Sequence, residues 1–519
     1  MSRLPIAALA GIKYDVAVVG AGVNGASAAQ HLAAAGYRVL LVDKGDFGSG
    51  ASSRSSRILG NGLRYLAPGR SFWEFVRHPS RFISACKMAK YALDSRTQMV
   101  RETPERVRPI TFCYPVYSDS QYAPWQLTAA FCLLHLLNRR GTPLGFRMME
   151  RDEACATPLL QWVRTPDNLK KVVLHHQYQF DWPERVVVDT VLDAERLGAT
   201  VRNYTRVCGL RPAAPSGWEL LLREAVVSES GSAEVWVEAA VVINAAGVWI
   251  DQVNTLAKAG AKRRVTGTKG IHIAVQLPRE CRDYAVVSLN RHNEQIYCVP
   301  WRGLHYIGPT ETLFEGDPDD VRPTEPEIEW LLDEFNYLVP GAKLKRQDVL
   351  YAWAGVRPLT YDPSLPKGNR ARTIHDQADD AMPDMISVTA GPIMSHRATG
   401  RALCQAVRSR IPPSDPPSVP NFATCFRHDD QGSPGITNAQ PEVSVAQLRH
   451  AAAQEHVVTL ADLLFRRVGV GWSSGLGRES ALAAANAVAD VMDWDQGRIT
   501  QELSEYETQL RNYHLAPGR

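Results

Sequence analysis

The chain lacks the cysteine patterns of disulfide-rich and zinc-binding proteins. Its 519 residues include nine cysteines, an odd number, and no two of them form a CxxC pair. Scattered cysteines of this kind are typical of reduced thiols in a cytosolic protein. We therefore expect a cytoplasmic protein with neither a disulfide framework nor a metal site.

An excess of charge and a long hydrophobic run are also lacking. Lysine and arginine total 58 against 55 acidic residues, a net charge of +3, and no basic–aromatic module is present. These features argue against a nucleic-acid partner. No run reaches the roughly 18 apolar residues that cross a membrane, and we expect no cleaved signal peptide. With 45% hydrophobic residues, the composition instead fits a large enzyme of two or three domains.

The most informative segment is 14–43, which predicts binding of an adenine dinucleotide. An apolar strand runs into Gly20-Ala21-Gly22-Val23-Asn24-Gly25, and an alanine-rich helix and a second strand ending at Asp43 follow. The glycines allow a tight turn, close approach to a pyrophosphate and close packing of helix on strand. The helix N-terminus attracts the phosphates and Asp43 accepts from a ribose hydroxyl. The position of this segment in the chain favours FAD as cofactor.

Three later segments extend the predicted cofactor site. A serine-rich loop at 49–57 suits contact with a phosphate or the flavin edge, a buried strand ends in small residues at 244–247, and a third strand leads into Gly391-Pro392 and a helix. Proline suits the first turn of a helix because its missing N–H costs nothing there. The candidate cofactor residues are Gly20, Gly22, Asn24, Gly25, Asp43, Lys44, Ser52, Ser53, Ser55, Ser56, Val207, Ala245, Gly247, Gly391, Pro392 and Ile393.

Residues 124–140 are apolar on nearly every side and end in two arginines. The segment is too short to span a bilayer. Two interpretations remain open: a buried helix with a basic end, or a helix lying in a membrane interface. A further helical stretch is predicted over 68–108.

Strand patterns between 170 and 301 predict an antiparallel sheet beside the dinucleotide fold. The predicted class is α/β: a Rossmann-like FAD-binding domain interleaved with an antiparallel-sheet substrate domain, plus a C-terminal helical domain. Within 1–410, the FAD-binding domain takes about 12–70, 165–265 and 350–410, and the substrate domain about 71–165 and 266–350. A proline-rich linker, 411–442, and the helical domain, 443–519, follow.

The motifs of this chain resemble those of the FAD-dependent glycerol-3-phosphate dehydrogenases of the aerobic, flavin type. The likeness runs over nearly the whole chain, and GLRY and GVRPL together are far more specific than the dinucleotide motif. The matching motifs are VGAGVNGA at 19–26, SSRSSR at 52–57, GLRY at 62–65, NAAGVW at 244–249, KGIH at 269–272, VPW at 299–301 and GVRPL at 355–359.

The resemblance implies FAD-dependent oxidation of a secondary alcohol on a phosphorylated polyol, glycerol 3-phosphate or a related phosphorylated alcohol, by hydride transfer to flavin N5. Arg64, Tyr65 and Arg357 match residues that bind the anionic substrate. His272 is the first candidate for the proton acceptor, with Arg357 as the second catalytic candidate. The resemblance also implies a quinone acceptor and peripheral contact with the inner face of a membrane through 124–140. A homodimer is left open.

Three segments depart from the family pattern. Pro392 stands where the family has a lysine near flavin and phosphate, Gly60-Asn61-Gly62 replaces His-Gly-Gly, and Gly308-Pro309-Thr310-Glu311 replaces Gly-Thr-Thr-Asp. A phosphate without a cation partner would be costly. Ser395 and His396, which follow Pro392, are therefore added as candidate phosphate-binding residues.

Alternative functions stay open at this point. An amine or amino-acid oxidase that uses oxygen would turn the same arginines to a carboxylate. The substrate could also be a phosphorylated biosynthetic intermediate. A third alternative is a flavoprotein without turnover that binds partners through its C-terminal helices.

Overall fold

The computed structural model of the protein describes residues 3–67, 73–164, 166–226, 233–422, 434–436 and 442–515. Two β-sheets organise these residues. The first sheet is centred on the N-terminal dinucleotide segment, and the second is formed largely by the middle of the chain. Helices from both halves of the chain cover the sheets.

The first sheet has a parallel centre in which Lys13–Val19 lies between Val39–Val42 and Glu234–Asn244. Residues 16–19, 39–42 and 241–243 of these strands are continuously apolar and buried, because helices or further strands cover both of their faces there. The order across the sheet is Thr373–Asp376, Met385–Thr389, Glu234–Asn244, Lys13–Val19, Val39–Val42 and Thr200–Arg202. Trp218–Glu224 pairs with the long central strand and Thr205–Pro212 pairs with Trp218–Glu224, both antiparallel.

One helix, Val23–Ala34, packs on the first sheet between two others, Pro183–Arg196 and His396–Arg408. Small residues of the first helix, together with Leu32 and Leu403, are fully buried against the strands. This packing holds the N-terminus of the first helix at the carboxyl edge of the parallel strands. Ligands of α/β sheets bind at that edge.

The second sheet is mostly antiparallel. Its order is Thr312–Leu313, Val265–Val275, Leu304–Gly308, Gln295–Trp301, Tyr284–Leu289, Val107–Tyr117, Leu169–Phe180 and Ile58–Leu59. Val349–Thr360 pairs with Val265–Val275, and Arg147–Glu150 pairs with Leu169–Phe180.

Three of these strands belong to a different domain from the one that the sequence predicted for them. Ile58–Leu59, Leu169–Phe180 and Val349–Thr360 lie in stretches assigned from sequence to the FAD-binding domain, yet their backbones pair with the second sheet. The two long strands hydrogen-bond along nearly their whole length, and this pairing decides their sheet. The chain therefore enters the second sheet earlier than the sequence predicted, near residue 58, and returns to the first sheet later, after residues 180 and 360.

The predicted helix over 68–108 is wrong in its bounds. The structure has Trp73–Arg77 and Pro79–Glu102, and a strand begins at Val107; residues 68–72 lie outside the described part of the chain. Pro79 disfavours a helical conformation for the residue before it and starts a new helix. The other α-helices described before residue 423 are Leu63–Leu66, Pro124–Leu137, Arg151–Cys155, Ile250–Ala257 and Glu325–Leu338. No helix within the described ranges has both the length and the apolarity for a membrane crossing.

The C-terminal helices share a core with the second sheet, in contrast to the separate domain that the sequence predicted. They are Val445–Gln454, the π-helical turn Asp462–Arg467, Arg478–Val488 and Gln496–His514. Trp472 lies between them and contacts Trp301 and Trp353 of the sheet, with ring centroids 5.8 and 5.7 Å apart.

The predicted linker 411–442 is described only in part, because 423–433 and 437–441 lie outside the described residues. Its first section follows the end of the first helix. The amide N–H of Asp415 donates to the Gly36 carbonyl (2.8 Å), and that of Ser418 donates to the Ala34 carbonyl (2.7 Å). This section is therefore packed on the first sheet's helical layer.

Candidate active site

A cavity of about 990 Å³ lies between the two sheets. The carboxyl ends of the first sheet's strands and one face of the second sheet line it. Most residues predicted from sequence meet there. They are Gly20, Gly22, Asn24, Asp43, Lys44, Ser52, Ser55, Ser56, Arg64, Tyr65, Val207, Ala245, Gly247, His272, Arg357, Gly391, Pro392 and Ile393.

The three glycines of the dinucleotide segment have different roles. Gly20 has φ +101°, and a Cβ there would lie 2.7 Å from the Ala245 carbonyl oxygen. A Cβ on Gly25 would lie 1.8 Å from the Gly20 carbonyl oxygen, so Gly25 is required by the packing of helix on strand. A Cβ on Gly22 would meet only the Ser52 hydroxyl, at 3.4 Å. Gly22 is therefore the glycine that leaves room for a ligand in the cavity.

Asp43 ends the second strand of the dinucleotide segment. Its carboxylate accepts from the backbone N–H of Ala21 (2.7 Å) and of Gly45 (2.9 Å). Burial raises the pKa of Asp43 to about 6, although these backbone donors oppose the rise. The next residue, Lys44, lies 4.2 Å from the ring centroid of Trp249 and pairs with Asp319.

Four predicted site residues do not line the cavity. Gly25 packs against the strand, and the Ser53 hydroxyl donates to carbonyls of its own loop. Ser395 and His396, predicted to bind phosphate, are both buried, at 1% exposure. The short turn Ile393–Ser395 directs them inward: the Ser395 hydroxyl donates to the Pro392 carbonyl (2.7 Å), and His396 Nδ1 lies 2.9 Å from the Ile393 carbonyl. The structure therefore gives no support to a phosphate-binding role for either residue.

Pro392 precedes this turn, and the α-helix His396–Arg408 begins four residues later. The predicted start of the helix at Ile393 is therefore early by one 3₁₀ turn. Gly391, Pro392 and Ile393 remain at the cavity wall.

His272 lies on the strand Val265–Val275, at 1% exposure. Its ring stacks on Trp353 of the neighbouring strand, with centroids 5.0 Å apart and planes at 11°. Its Nε2 lies 3.0 Å from the Ser56 hydroxyl, and its Nδ1 has no hydrogen-bond partner among the described residues. Burial, reinforced by Arg357 and Arg57, holds the pKa of His272 well below its usual value. The imidazole is therefore neutral, with one unprotonated nitrogen available as an acceptor.

Three arginines and one carboxylate form a charged cluster at the cavity. Arg64, Arg357 and Arg370 line the cavity, and Arg370 pairs with Glu311 at 2.5 Å. Burial lowers the pKa of Arg357 to about 10, and Arg370 contributes further. Burial opposes ionisation of Glu311, but Arg370 and Arg357 outweigh it and lower the pKa of Glu311. The cluster thus keeps an excess of two positive charges, which suits a dianion.

The sequence did not identify Arg370, Asn61 or His175 as site residues, although all three line the cavity. Arg370 lies in the loop between Val349–Thr360 and Thr373–Asp376, where no motif marks it. Its carbonyl accepts from the Gly391 N–H at 3.3 Å, which places Arg370 beside the segment that lacks the expected lysine. Only the tertiary structure reveals this proximity.

The residues present fit FAD. The open side of Gly22, the helix N-terminus and Asp43 form a dinucleotide cradle along one end of the cavity. Buried polar atoms without a partner among the described residues, Trp249 Nε1, His272 Nδ1 and Arg357 Nη1, belong to side chains that line the same cavity. The arrangement can hold a dinucleotide, bind an anion and accept a proton.

Comparison with known proteins agrees with this geometry. Residues 15–439 match the family model of the FAD-dependent oxidoreductases. The glycerol-3-phosphate dehydrogenase of Synechocystis sp. is 30% identical over 419 residues, which cover 78% of this chain and 71% of that protein. The D-erythritol 1-phosphate dehydrogenase of Brucella abortus is 30% identical over 371 residues, covering 70% and 67%. The structure of glycerol-3-phosphate dehydrogenase from Bacillus halodurans complexed with FAD has a TM-score of 0.71 and 18% identity, covers 98% of this chain and 96% of that chain, and shares its fold.

Proposed function

We infer the function from one premise: this chain belongs to the family of FAD-dependent oxidoreductases. We propose that it oxidises a secondary alcohol on a phosphorylated polyol, glycerol 3-phosphate or a related phosphorylated alcohol. The observation that carries the proposal is the excess of two positive charges, from Arg64, Arg357, Arg370 and Glu311, in the same cavity as the neutral His272.

The arginines bind and orient the substrate. Guanidinium groups match phosphate oxygens in charge and geometry, and Arg370 supplies the cation that Pro392 cannot. A cavity with this charge favours a phosphate dianion. It disfavours the ammonium group of an amine or amino acid, which the same cations would repel.

His272 accepts the proton of the substrate hydroxyl. Its neutral imidazole is aligned by stacking on Trp353, and the Ser56 hydroxyl holds Nε2 at 3.0 Å. FAD, when bound, supplies an acceptor at N5 for the hydride that leaves the carbinol carbon.

A substrate panel tests the proposal. The purified FAD-loaded protein is assayed with an artificial electron acceptor on glycerol 3-phosphate, erythritol phosphates, glycerol and glycine, and hydrogen peroxide is measured in parallel. We expect turnover of a phosphorylated polyol and at least a tenfold lower kcat/KM for its dephosphorylated form. Turnover of glycine or another amine with release of peroxide, and none of any polyol phosphate, would contradict it.

We also propose that the enzyme contacts a membrane, where a quinone would accept the electrons. Along Pro124–Leu137, the positions of Trp125, Ala129, Cys132 and Leu136 form one exposed stripe, with Trp125 at 61% and Leu136 at 55% exposure. The helix Pro79–Glu102, which packs against this helix, also carries two exposed apolar residues near its start, Phe82 and Ile83. Exposed arginines 139 and 140 follow the stripe. An apolar stripe with basic residues at its end is typical of interfacial helices.

Vesicle co-sedimentation tests the membrane contact. Replacing Trp125 and Leu136 by serine is expected to release the protein from vesicles that contain anionic lipid. The matched control is Leu482→Ser, since Leu482 is 52% exposed on another helix. Equal sedimentation of all variants would contradict the proposed surface.

A further inference from the structure

His175 is a buried polar residue of the cavity wall that the chemistry above does not use. The side chain is 1% exposed and lines the cavity, and its Nε2 has no partner among the described residues. Its ring lies near Phe112 (centroids 5.8 Å apart, planes at 14°) and Phe131 (5.3 Å). These aromatic contacts hold the ring in place. The ring nitrogens are the polar atoms through which the His175 side chain can bind a ligand.

Asn61 fixes which nitrogen of His175 carries the proton. The Asn61 Oδ1 accepts from the Leu63 N–H at 3.1 Å, which identifies the other amide atom, Nδ2, as the NH₂ group. This Nδ2 lies 3.0 Å from His175 Nδ1. An NH₂ group only donates, so Nδ1 must accept, and the neutral ring carries its proton on Nε2. His175 therefore offers an Nε2–H donor.

The donor is uncharged. Burial, with Arg96 and His176 adding to it, lowers the pKa of His175 to about 3. The ring stays neutral at the pH of a cell. A buried N–H without an acceptor costs free energy, so an oxygen of a cavity ligand is its natural partner.

We propose that His175 determines substrate specificity by donating its Nε2–H to a hydroxyl oxygen on the polyol chain. The inference rests on the proposed function. The arginine cluster takes the phosphate, and a neutral donor matches an uncharged hydroxyl. Gln177, two residues along the same strand, lines the cavity beside it and extends this polar wall.

The first test removes the Nε2–H donor and puts another aromatic ring in its place. His175→Phe in the FAD-loaded enzyme is expected to raise KM for glycerol 3-phosphate about tenfold, with a smaller change in kcat. The matched control is His176→Phe, because residue 176 points to the opposite face of the strand and does not line the cavity. Propane-1,2-diol 1-phosphate lacks the terminal hydroxyl. Wild type should lose about tenfold in kcat/KM on this analogue, and His175→Phe should lose little.

The second test reverses the tautomer. In Asn61→Asp the carboxylate only accepts, so neutral His175 must carry its proton on Nδ1 and loses the Nε2 donor. At about pH 8 the KM of the variant should be higher than that of wild type. At lower pH the imidazole becomes protonated and regains its Nε2–H, so the KM of the variant should approach that of wild type at the same pH. A residue that only fills space would not give this pH dependence.

The outcomes separate the two proposals. If wild type turns over polyol phosphates and His175→Phe leaves KM unchanged, this inference is overturned and the function stands. If wild type turns over no polyol phosphate, both are overturned. A shifted flavin absorption maximum in His175→Phe with unchanged KM would assign the donor to a flavin carbonyl and also overturn the inference.

Discussion

Replacing Arg370 by glutamine is expected to weaken binding of a phosphorylated substrate, and adding Glu311→Gln is expected to restore it. Arg370 and Glu311 form an ion pair at 2.5 Å beside Arg64 and Arg357. The single change Arg370→Gln removes one positive charge and leaves a carboxylate near the phosphate. The double change returns the cluster to two net positive charges.

The size of the expected change in KM follows from how far the Arg370–Glu311 pair is exposed to solvent. The Arg370 side chain is 31% exposed, so its field is only partly screened. Two unit charges about 6 Å apart interact by about 2.8 kcal/mol at an effective dielectric constant of about 20, and by less in water. We therefore expect Arg370→Gln to raise KM about 10- to 100-fold. Glu311→Gln alone should lower KM, because it adds a net positive charge.

Steady-state assays at low and high salt provide the test. The predicted order of KM for glycerol 3-phosphate is Glu311→Gln below wild type, the double variant near wild type, and Arg370→Gln highest. The differences should shrink at high salt, and unphosphorylated glycerol should show no such order. If Arg370→Gln and Glu311→Gln both raise KM, the reasoning from charge is refuted and the pair acts through geometry alone.

Three further outcomes can be checked on the purified protein. Gly22→Ala should fold normally but bind FAD weakly, whereas Gly25→Ala should unfold at lower temperature; equal FAD affinity of Gly22→Ala and wild type would contradict the cradle. Because burial raises the pKa of Asp43 to about 6, FAD affinity measured by fluorescence titration should fall as pH drops through about 6, and Asp43→Asn should flatten this dependence. Asp46 is fully buried against two arginines of the π-helical turn, so Asp46→Asn should lower the free energy of unfolding in urea by about 3–5 kcal/mol; an unchanged urea midpoint would argue against this estimate.

The sequence predicted best what is encoded by neighbouring residues. The turn at Gly20–Gly25, the strand end at Asp43 and the strand at His272 follow from local patterns, whereas Arg357 was identified from the GVRPL motif and its strand was not predicted. Each pattern is set by steric demands within a few residues. The structure brings Gly20, Gly22, Asp43, His272 and Arg357 to one cavity, and Gly25 packs the helix on the strand.

Contacts between distant segments could not be predicted in this way. Arg466 pairs with Asp46 across 420 residues, and Arg370 reaches the site from a loop without a motif. Ser395 and His396 do not line the cavity for a local reason, since the 3₁₀ turn after Pro392 places them within reach of the Pro392 and Ile393 carbonyls. The orientation of a side chain depends on such turns, and the residue pattern of this segment predicted a helix from Ile393 instead.

Oxidation of a phosphorylated polyol can be observed directly by anaerobic stopped-flow reduction of the FAD-loaded protein. Loss of the visible flavin absorbance is followed after mixing with glycerol 3-phosphate, an erythritol phosphate or their unphosphorylated forms. We expect rapid bleaching by a phosphorylated polyol and slow or no bleaching by the corresponding polyol. Bleaching by amino acids, with none by any phosphorylated polyol, would contradict it.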